Sequence, residues 1–203
     1  MKPAEVQYAW RGWILGALFA ALAYARWRSP QPLEAYGLIP IAAGACYRLY
    51  AGRFIQGHSN SRRLAAGIAV ALGGPYRFGR HPLYLSNLAI IAGLILFGNS
   101  LPWPAAALVF GIACAHHALL ARAEERYLAA LLGEPYLGYL RVTSRWFGFP
   151  RKSAAALAPG NAATAAAGSG AAALAVSWAR QGANLGKSAA CVLILWILSI
   201  AHR

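Results

Sequence analysis

The chain has 203 residues, of which 59% are hydrophobic and 12% are charged, with 19 basic and 5 acidic side chains. Soluble domains average about 25% charged residues, so this composition argues against a water-soluble protein. A net charge of +14 would suggest nucleic acid as the partner of a soluble protein. Here the basic residues lie between apolar stretches, which favours membrane topology and anionic lipid headgroups over nucleic acid.

Apolar stretches predict an all-α fold, a multi-span membrane bundle of about five helices. In chain order they are residues 10–27, 36–50, 83–97, 101–120 and 188–201. Several are shorter than the ~20 residues that a helix needs to cross the hydrocarbon, so we expect tilt or partial insertion. The first stretch has features of a signal peptide, but the later spans favour a retained helix.

The composition divides the chain into three regions. Residues 1–150 are predicted to form the membrane core, 151–184 an Ala/Gly-rich linker with an interfacial segment, and 185–203 a final span. Residues 64–72 are apolar but too short to cross, so we expect them to lie at the membrane interface.

The segment 73–84, G-G-P-Y-R-F-G-R-H-P-L-Y, is predicted to be an ordered loop because it combines glycines with Pro75 and Pro82. Pro82 suits the first position of a helix, which makes His81 the expected cap. The free N–H groups and the positive dipole end of that helix would attract an anion. A basic loop that only touches lipid headgroups is the alternative.

Charge also predicts the topology. Residues 98–104, G-N-S-L-P-W-P, form an uncharged turn between two apolar stretches, which predicts a helical hairpin. The segment 73–84 and residues 121–152, predicted to be a second loop, are basic. The positive-inside rule places both basic segments on the cytoplasmic side. Two polar clusters that are distant in sequence would then meet in a pocket that faces the cytoplasm.

Glu124 and Glu125 are two of only five acids. Neighbours on a helix point ~100° apart, so one can face inward while the other pairs with a base or faces solvent. The alternative for Glu125 is a salt bridge with Arg122, three residues earlier. Beyond them, a Gly/Pro turn is predicted to present Tyr136 and Tyr139.

Four motifs together carry a resemblance: R-H-P-L-Y at 80–84, E-E at 124–125, G-x-x-Y-x-x-Y at 133–139 and the later V-x-x-R…P. In order and spacing they resemble the isoprenylcysteine carboxyl methyltransferase family and the related phospholipid N-methyltransferases. The resemblance covers residues 47–150. It implies a multi-span membrane enzyme that uses S-adenosylmethionine and takes a lipid or lipidated acceptor from the bilayer.

The resemblance also implies roles for residues, carried over by position. The catalytic candidates are His81, Glu125 and Arg145, the last for the cofactor carboxylate or the substrate headgroup. The cofactor-binding candidates are Gly79, Arg80, His81, Pro82, Tyr84, Glu124, Glu125, Tyr136 and Tyr139. Two positions depart from the family pattern: Ser86 replaces a common glycine, and Leu132 replaces a common phenylalanine.

These residue types suit methyl transfer. A carboxylate and a tyrosine favour a cationic sulfonium, and arginine or helix N–H groups suit a carboxylate. A carboxylate acceptor needs no base because it is already ionised. An amine acceptor must lose a proton, and Glu124, Glu125 or His81 could take it. The sequence leaves both acceptors open.

Two other classes of function remain. One is an NADPH-dependent membrane reductase of the sterol-reductase type, and the other is a non-catalytic membrane scaffold or small transporter. No metal is expected, because five histidines are too few for a membrane di-iron site. His116 and His117 lie in an apolar helix, where hydrogen-bonded contacts between helices are the expected role.

Overall fold

The computed structural model describes residues 3–29, 31–54 and 74–148, and this part of the chain contains helices and no strands. The α-helices are α1 (Pro3–Arg28), α2 (Leu38–Gly52), α3 (Pro82–Gly98), α4 (Trp103–Leu132) and α5 (Glu134–Val142). Short 3₁₀ turns at Ala35–Gly37 and Gly74–Arg77 precede α2 and the loop before α3. The expected all-α class is therefore confirmed for the described residues.

Helices α2 and α3 pack closely and antiparallel because small residues line their crossing. A methyl group added to Gly44 would lie 2.8 Å from the carbonyl oxygen of Ser86, and one added to Gly93 would lie 2.7 Å from that of Gly37. Small residues at such crossings let helix backbones approach each other, as in membrane helix pairs. Ser86 is 1% exposed and lies at this crossing.

Helices α3 and α4 form the hairpin that the uncharged turn predicted. Asn99 ends α3 in a left-handed conformation (φ 44°), and Pro102 precedes the first residue of α4. Such a conformation is common at helix ends and is tolerated by asparagine. The hairpin brings the start of α3 and the end of α4 to the same end of the bundle.

The prediction of a loop from residue 121 is wrong, because α4 continues to Leu132. Residues 121–132, A-R-A-E-E-R-Y-L-A-A-L-L, are nearly all strong helix formers, so the change from apolar to charged residues does not end the helix. Gly133 ends it with a φ of 64°. The expected turn after it is also wrong in part, since α5 begins at Glu134 with a proline in its first turn.

Among the described helices, one is long and apolar enough to cross a membrane, over Trp103–Ala130. Helix α3 is apolar but shorter. Helix α4 exposes Leu108, Ile112 and Leu119, which are spaced along one of its faces. These features support association with a membrane.

Several predicted segments lie outside the described residues. They are the interfacial segment 64–72, the linker 151–184 and the final span within 185–203.

Candidate functional site

The candidate site lies where α3 begins and α4 ends, and the loop before α3 is anchored there by three contacts. The Tyr139 hydroxyl donates to the carbonyl oxygen of Tyr76 at 2.8 Å. The Arg80 amide donates to the carbonyl oxygen of Ser144 at 3.0 Å. Gly79 lies so close to the segment after α5 that an added methyl group would overlap the carbonyl oxygen of Trp146. The lack of a side chain at Gly79 therefore allows the two backbone segments to approach each other closely.

His81 precedes α3 at the cap position that the sequence predicted. Its carbonyl oxygen accepts hydrogen bonds from the amides of Tyr84 and Leu85, both at 3.1 Å, and Pro82 is the first helical residue. The His81 side chain makes no capping hydrogen bond and instead reaches the acids of α4. Pro82 is fully buried. At this position before α3, the His81 ring lies within 4 Å of both acids.

Glu125 is 6% exposed and is surrounded by cationic or potentially cationic groups. Its Oε1 accepts from Arg80 Nη1 at 2.8 Å and lies 3.2 Å from His81 Nε2. Its Oε2 accepts from Arg145 Nη2 at 2.7 Å, and Arg145 Nε bridges both oxygens at 3.1 and 3.2 Å. The hydrogen bond to Glu125 raises the pKa of Arg145. We call Arg80, His81, Glu125 and Arg145 the ion cluster.

The ion cluster replaces the salt bridge that the alternative interpretation assigned to Glu125. Arg122 is exposed, and none of the ion pairs among the described residues includes it. The difference arises because Glu125 points into the bundle, where the loop before α3 and the segment after α5 supply its partners. Arginine forks around one carboxylate are strong, geometrically specific contacts.

Glu124 is held differently. Its Oε2 accepts a 2.8 Å hydrogen bond from the Tyr84 hydroxyl and lies 3.7 Å from His81 Nδ1. Its side chain is 24% exposed, against 7% for Glu125. Of these two carboxylates, Glu124 therefore has more capacity for a further partner.

Aromatic rings line the candidate site beside the two glutamates. The rings of His81 and Tyr84 stack with centroids 5.3 Å apart and planes 11° apart. The Trp146 ring lies 6.0 Å from His81 at a 55° angle. Stacked rings beside a carboxylate form a surface suited to an organic cation.

Tyr136 and Tyr139 are buried in α5 rather than presented from a turn. They are 3% and 4% exposed and pack with Leu128. Burial raises the pKa of both hydroxyls, so they remain neutral. In this arrangement Tyr139 supports the loop through Tyr76, and direct contact of either ring with a cofactor stays a prediction.

A second polar group beside the site includes Arg48 and Asn87, to which the sequence assigned no role. Arg48 of α2 donates to Asn87 Oδ1 of α3 at 2.6 Å, and Asn87 Nδ2 lies 3.4 Å from His117 Nε2 of α4. The last contact confirms the expected hydrogen bond between helices for His117. A single asparagine and a single arginine within apolar helices were the available signal, since polar groups there need partners.

Comparison with known proteins does not assign the chain to a family. No family model matches, and no solved structure matches. Over 127 residues the chain is 33% identical to the cobalt-zinc-cadmium resistance protein CzcN of Cupriavidus metallidurans. The match covers 63% of this chain and 53% of CzcN, so the chain spans about half the length of that relative.

The name of that relative concerns resistance to metals. Within residues 3–29, 31–54 and 74–148, no group of three or more His, Cys, Asp or Glu side chains could hold a metal ion. The described site is built instead from arginine, histidine, tyrosine and glutamate.

Proposed function

We propose that this protein is a membrane methyltransferase that uses S-adenosylmethionine and whose acceptor is a lipid or lipidated molecule. The observation that carries the proposal is the buried ion cluster at the end of an apolar helical hairpin. It joins Arg80 and His81 to Glu125, 45 residues away from Arg80. Buried ionisable groups near a membrane boundary are costly and commonly functional. The motif resemblance supplies the reaction class.

The described residues fit a sulfonium cofactor. Glu124, with its single described hydroxyl donor, and the stacked rings of His81 and Tyr84 suit a cationic sulfur. Arg145 has a side chain that is 37% exposed, so its guanidinium is accessible to a carboxylate while it holds Glu125. When bound, S-adenosylmethionine supplies a methyl group whose bond to sulfur breaks as an acceptor lone pair bonds to the carbon.

The two glutamates then have different tasks. Glu125 organises Arg80, His81 and Arg145, and its lone pairs are used by these partners. Glu124 is the group that faces the cation. If the acceptor is an amine, Glu124 is also the better proton acceptor, whereas a carboxylate acceptor needs none. The resemblance implied a catalytic role for Glu125, and this division limits that role to organising its three partners.

A non-catalytic scaffold is the alternative that one observation favours, because ion pairs around Glu125 would also serve structure alone. The NADPH-dependent reductase has no such support. Ligand binding separates these hypotheses. The full chain is purified in detergent, and its thermal unfolding is measured with S-adenosylmethionine, S-adenosylhomocysteine or NADP⁺. A ligand that binds only the folded state stabilises it by ~2.7 kcal/mol at a hundredfold excess over its Kd.

Stabilisation by the two adenosyl compounds supports the methyltransferase, and stabilisation by NADP⁺ alone would support the reductase. If none of the three ligands changes the melting temperature, the scaffold becomes the better hypothesis.

The role of Glu124 has its own test, because S-adenosylmethionine is a cation at sulfur and S-adenosylhomocysteine is a neutral thioether. Two unit charges 4 Å apart interact by ~4 kcal/mol at an effective dielectric of 20. The partial exposure of Glu124 reduces this interaction energy. We therefore expect Glu124→Gln to weaken binding of S-adenosylmethionine by about 1–2 kcal/mol more than binding of S-adenosylhomocysteine, or roughly 5–30-fold in Kd. Glu134→Gln, at an exposed glutamate, is the matched control. Equal loss for both ligands would contradict this role.

A further inference from the structure

We propose that Asn87 and His117 are positioning residues that hold the Tyr84–Glu124 pair in place from within the helical bundle. The ligand-binding test of this inference rests on the proposed function, whereas its spectroscopic test does not. Neither residue belongs to the motif resemblance. The sequence predicted a hydrogen-bonded contact between helices for His117 and assigned no role to Asn87. Their contacts run from α2 through α3 to α4 and end on a ring of the candidate site.

The hydrogen bonds among these residues permit one consistent assignment of protons. Arg48 can only donate, so Asn87 presents its oxygen to Arg48 and its NH₂ group to His117 Nε2. The carbonyl oxygen of Ala113 can only accept, so the His117 Nδ1, 2.8 Å away, carries a hydrogen. Nε2 is then the acceptor for Asn87. Both polar atoms of the Asn87 amide then have partners of the right kind, and the His117 ring is held at both nitrogens.

The held ring supports Tyr84. The rings of His117 and Tyr84 meet edge to face, with centroids 5.6 Å apart and planes 71° apart. The opposite neighbour of Tyr84 is the stacked ring of His81. Tyr84 in turn directs its hydroxyl to Glu124 at 2.8 Å. The orientation of His117 therefore sets where the Tyr84 hydroxyl and the Glu124 carboxylate lie.

His117 acts through Tyr84 and does not itself touch a ligand, because it is only 1% exposed. A purely structural polar contact between helices would have the same burial. The two roles differ in one respect: a positioning role requires the effect on ligand binding to pass through the Tyr84 hydroxyl.

A double-mutant cycle measures this coupling. Asn87→Leu keeps the approximate size of the side chain and removes both hydrogen bonds. In the full-length protein we expect it to raise the Kd for S-adenosylmethionine about tenfold. In a Tyr84→Phe background, where the hydroxyl is already absent, the same change should raise the Kd less than about twofold. An equal increase in both backgrounds would overturn the proposal.

Leu94→Ala controls for lost stability, because Leu94 is buried in a cluster with Ile90 and Phe97, toward the opposite end of α3. It should lower the melting temperature and leave the Kd unchanged. If Leu94→Ala raises the Kd as much as Asn87→Leu does, general destabilisation explains the effect and the positioning role is refuted.

A readout without any ligand separates this proposal from the proposed function. With 3-fluorotyrosine incorporated at position 84, the ¹⁹F spectrum reports the surroundings of that ring. We expect Asn87→Leu and His117→Phe to shift or broaden the resonance and Leu94→Ala to leave it unchanged. Failure of the wild type to bind S-adenosylmethionine would refute the methyltransferase and leave this test standing. An unchanged resonance in Asn87→Leu and His117→Phe would refute the positioning role whatever the ligand results.

Discussion

Replacement of Glu125 by glutamine tests whether the ion cluster stabilises the folded protein. Glutamine has nearly the same shape, but it carries no charge and presents an NH₂ group where the carboxylate accepted hydrogen bonds. Arg80 and Arg145 would both lose their ionic partner. A cation left without its partner in a buried site is strongly destabilising.

The magnitude follows from the burial of each partner. Breaking a fully buried ion pair costs about 3–5 kcal/mol. The side chains of Glu125 and Arg80 are 7% and 13% exposed, so this range applies to their contact. Arg145 is 37% exposed, so water screens its ion pair with Glu125 and that contact adds less to the cost. We therefore expect Glu125→Gln to lower the free energy of unfolding by about 3 kcal/mol, near the low end of the range. In a protein of this size, that corresponds to roughly 6–12 °C in melting temperature.

The assay is thermal unfolding followed by tryptophan fluorescence, without ligand, at one scan rate and in one detergent. Glu134→Gln is the control, because its ion pair with Arg141 is long, at 3.8 Å, and both side chains are more than two-thirds exposed. Such a pair contributes little to stability. If Glu125→Gln and Glu134→Gln have the same melting temperature, the buried ion cluster is not part of the folded protein and the reasoning fails.

Two further predictions concern the loop before α3. Gly79→Ala should lower the free energy of unfolding by about 1–3 kcal/mol, since its methyl group overlaps the Trp146 carbonyl oxygen. Gly111→Ala, which has open space within 4 Å, should instead be neutral or slightly stabilising in the same melting assay. Tyr139→Phe should cost about 0.5–1.5 kcal/mol through the lost hydrogen bond to Tyr76. Burial raises the pKa of Tyr139 above its ordinary value of 10.0, so its contribution is present below that pH and declines as the pH rises through the folded-state pKa. Unfolding measured from about pH 8 to about pH 11 should therefore depend less steeply on pH in Tyr139→Phe, and an unchanged slope would contradict the assignment.

The different roles proposed for Glu124 and Glu125 affect how their glutamine variants are interpreted. A loss of ligand binding in Glu125→Gln would not by itself show that Glu125 contacts the ligand, because the variant also releases Arg80, Arg145 and His81. Glu124→Gln removes a partly exposed acid with one described hydrogen bond and one more distant histidine contact. The comparison of sulfonium with thioether in that variant therefore reports more directly on the site.

The sequence by itself determined the helical class, the turn between α3 and α4, and the start of α3. These features depend on local causes: apolar runs, a proline at the first helical position, and an uncharged turn with asparagine. His81 could be placed as the helix cap because Pro82 follows it. The adjacent acids Glu124 and Glu125 stood out among only five acidic residues, whereas the set of candidate site residues came from the motif resemblance.

Only the tertiary structure decided which of these groups meet. Glu125 could have paired with Arg122 on its own helix, but its partners come from the loop before α3 and the segment after α5. The contact from Arg48 through Asn87 to His117 likewise depends on three helices packed side by side. Hydrogen bonds and ion pairs act over about 3–4 Å, so they depend on how helices pack, which local residue patterns do not specify. The sequence therefore supplied the chemical groups, and the packing of the helices selected their partners.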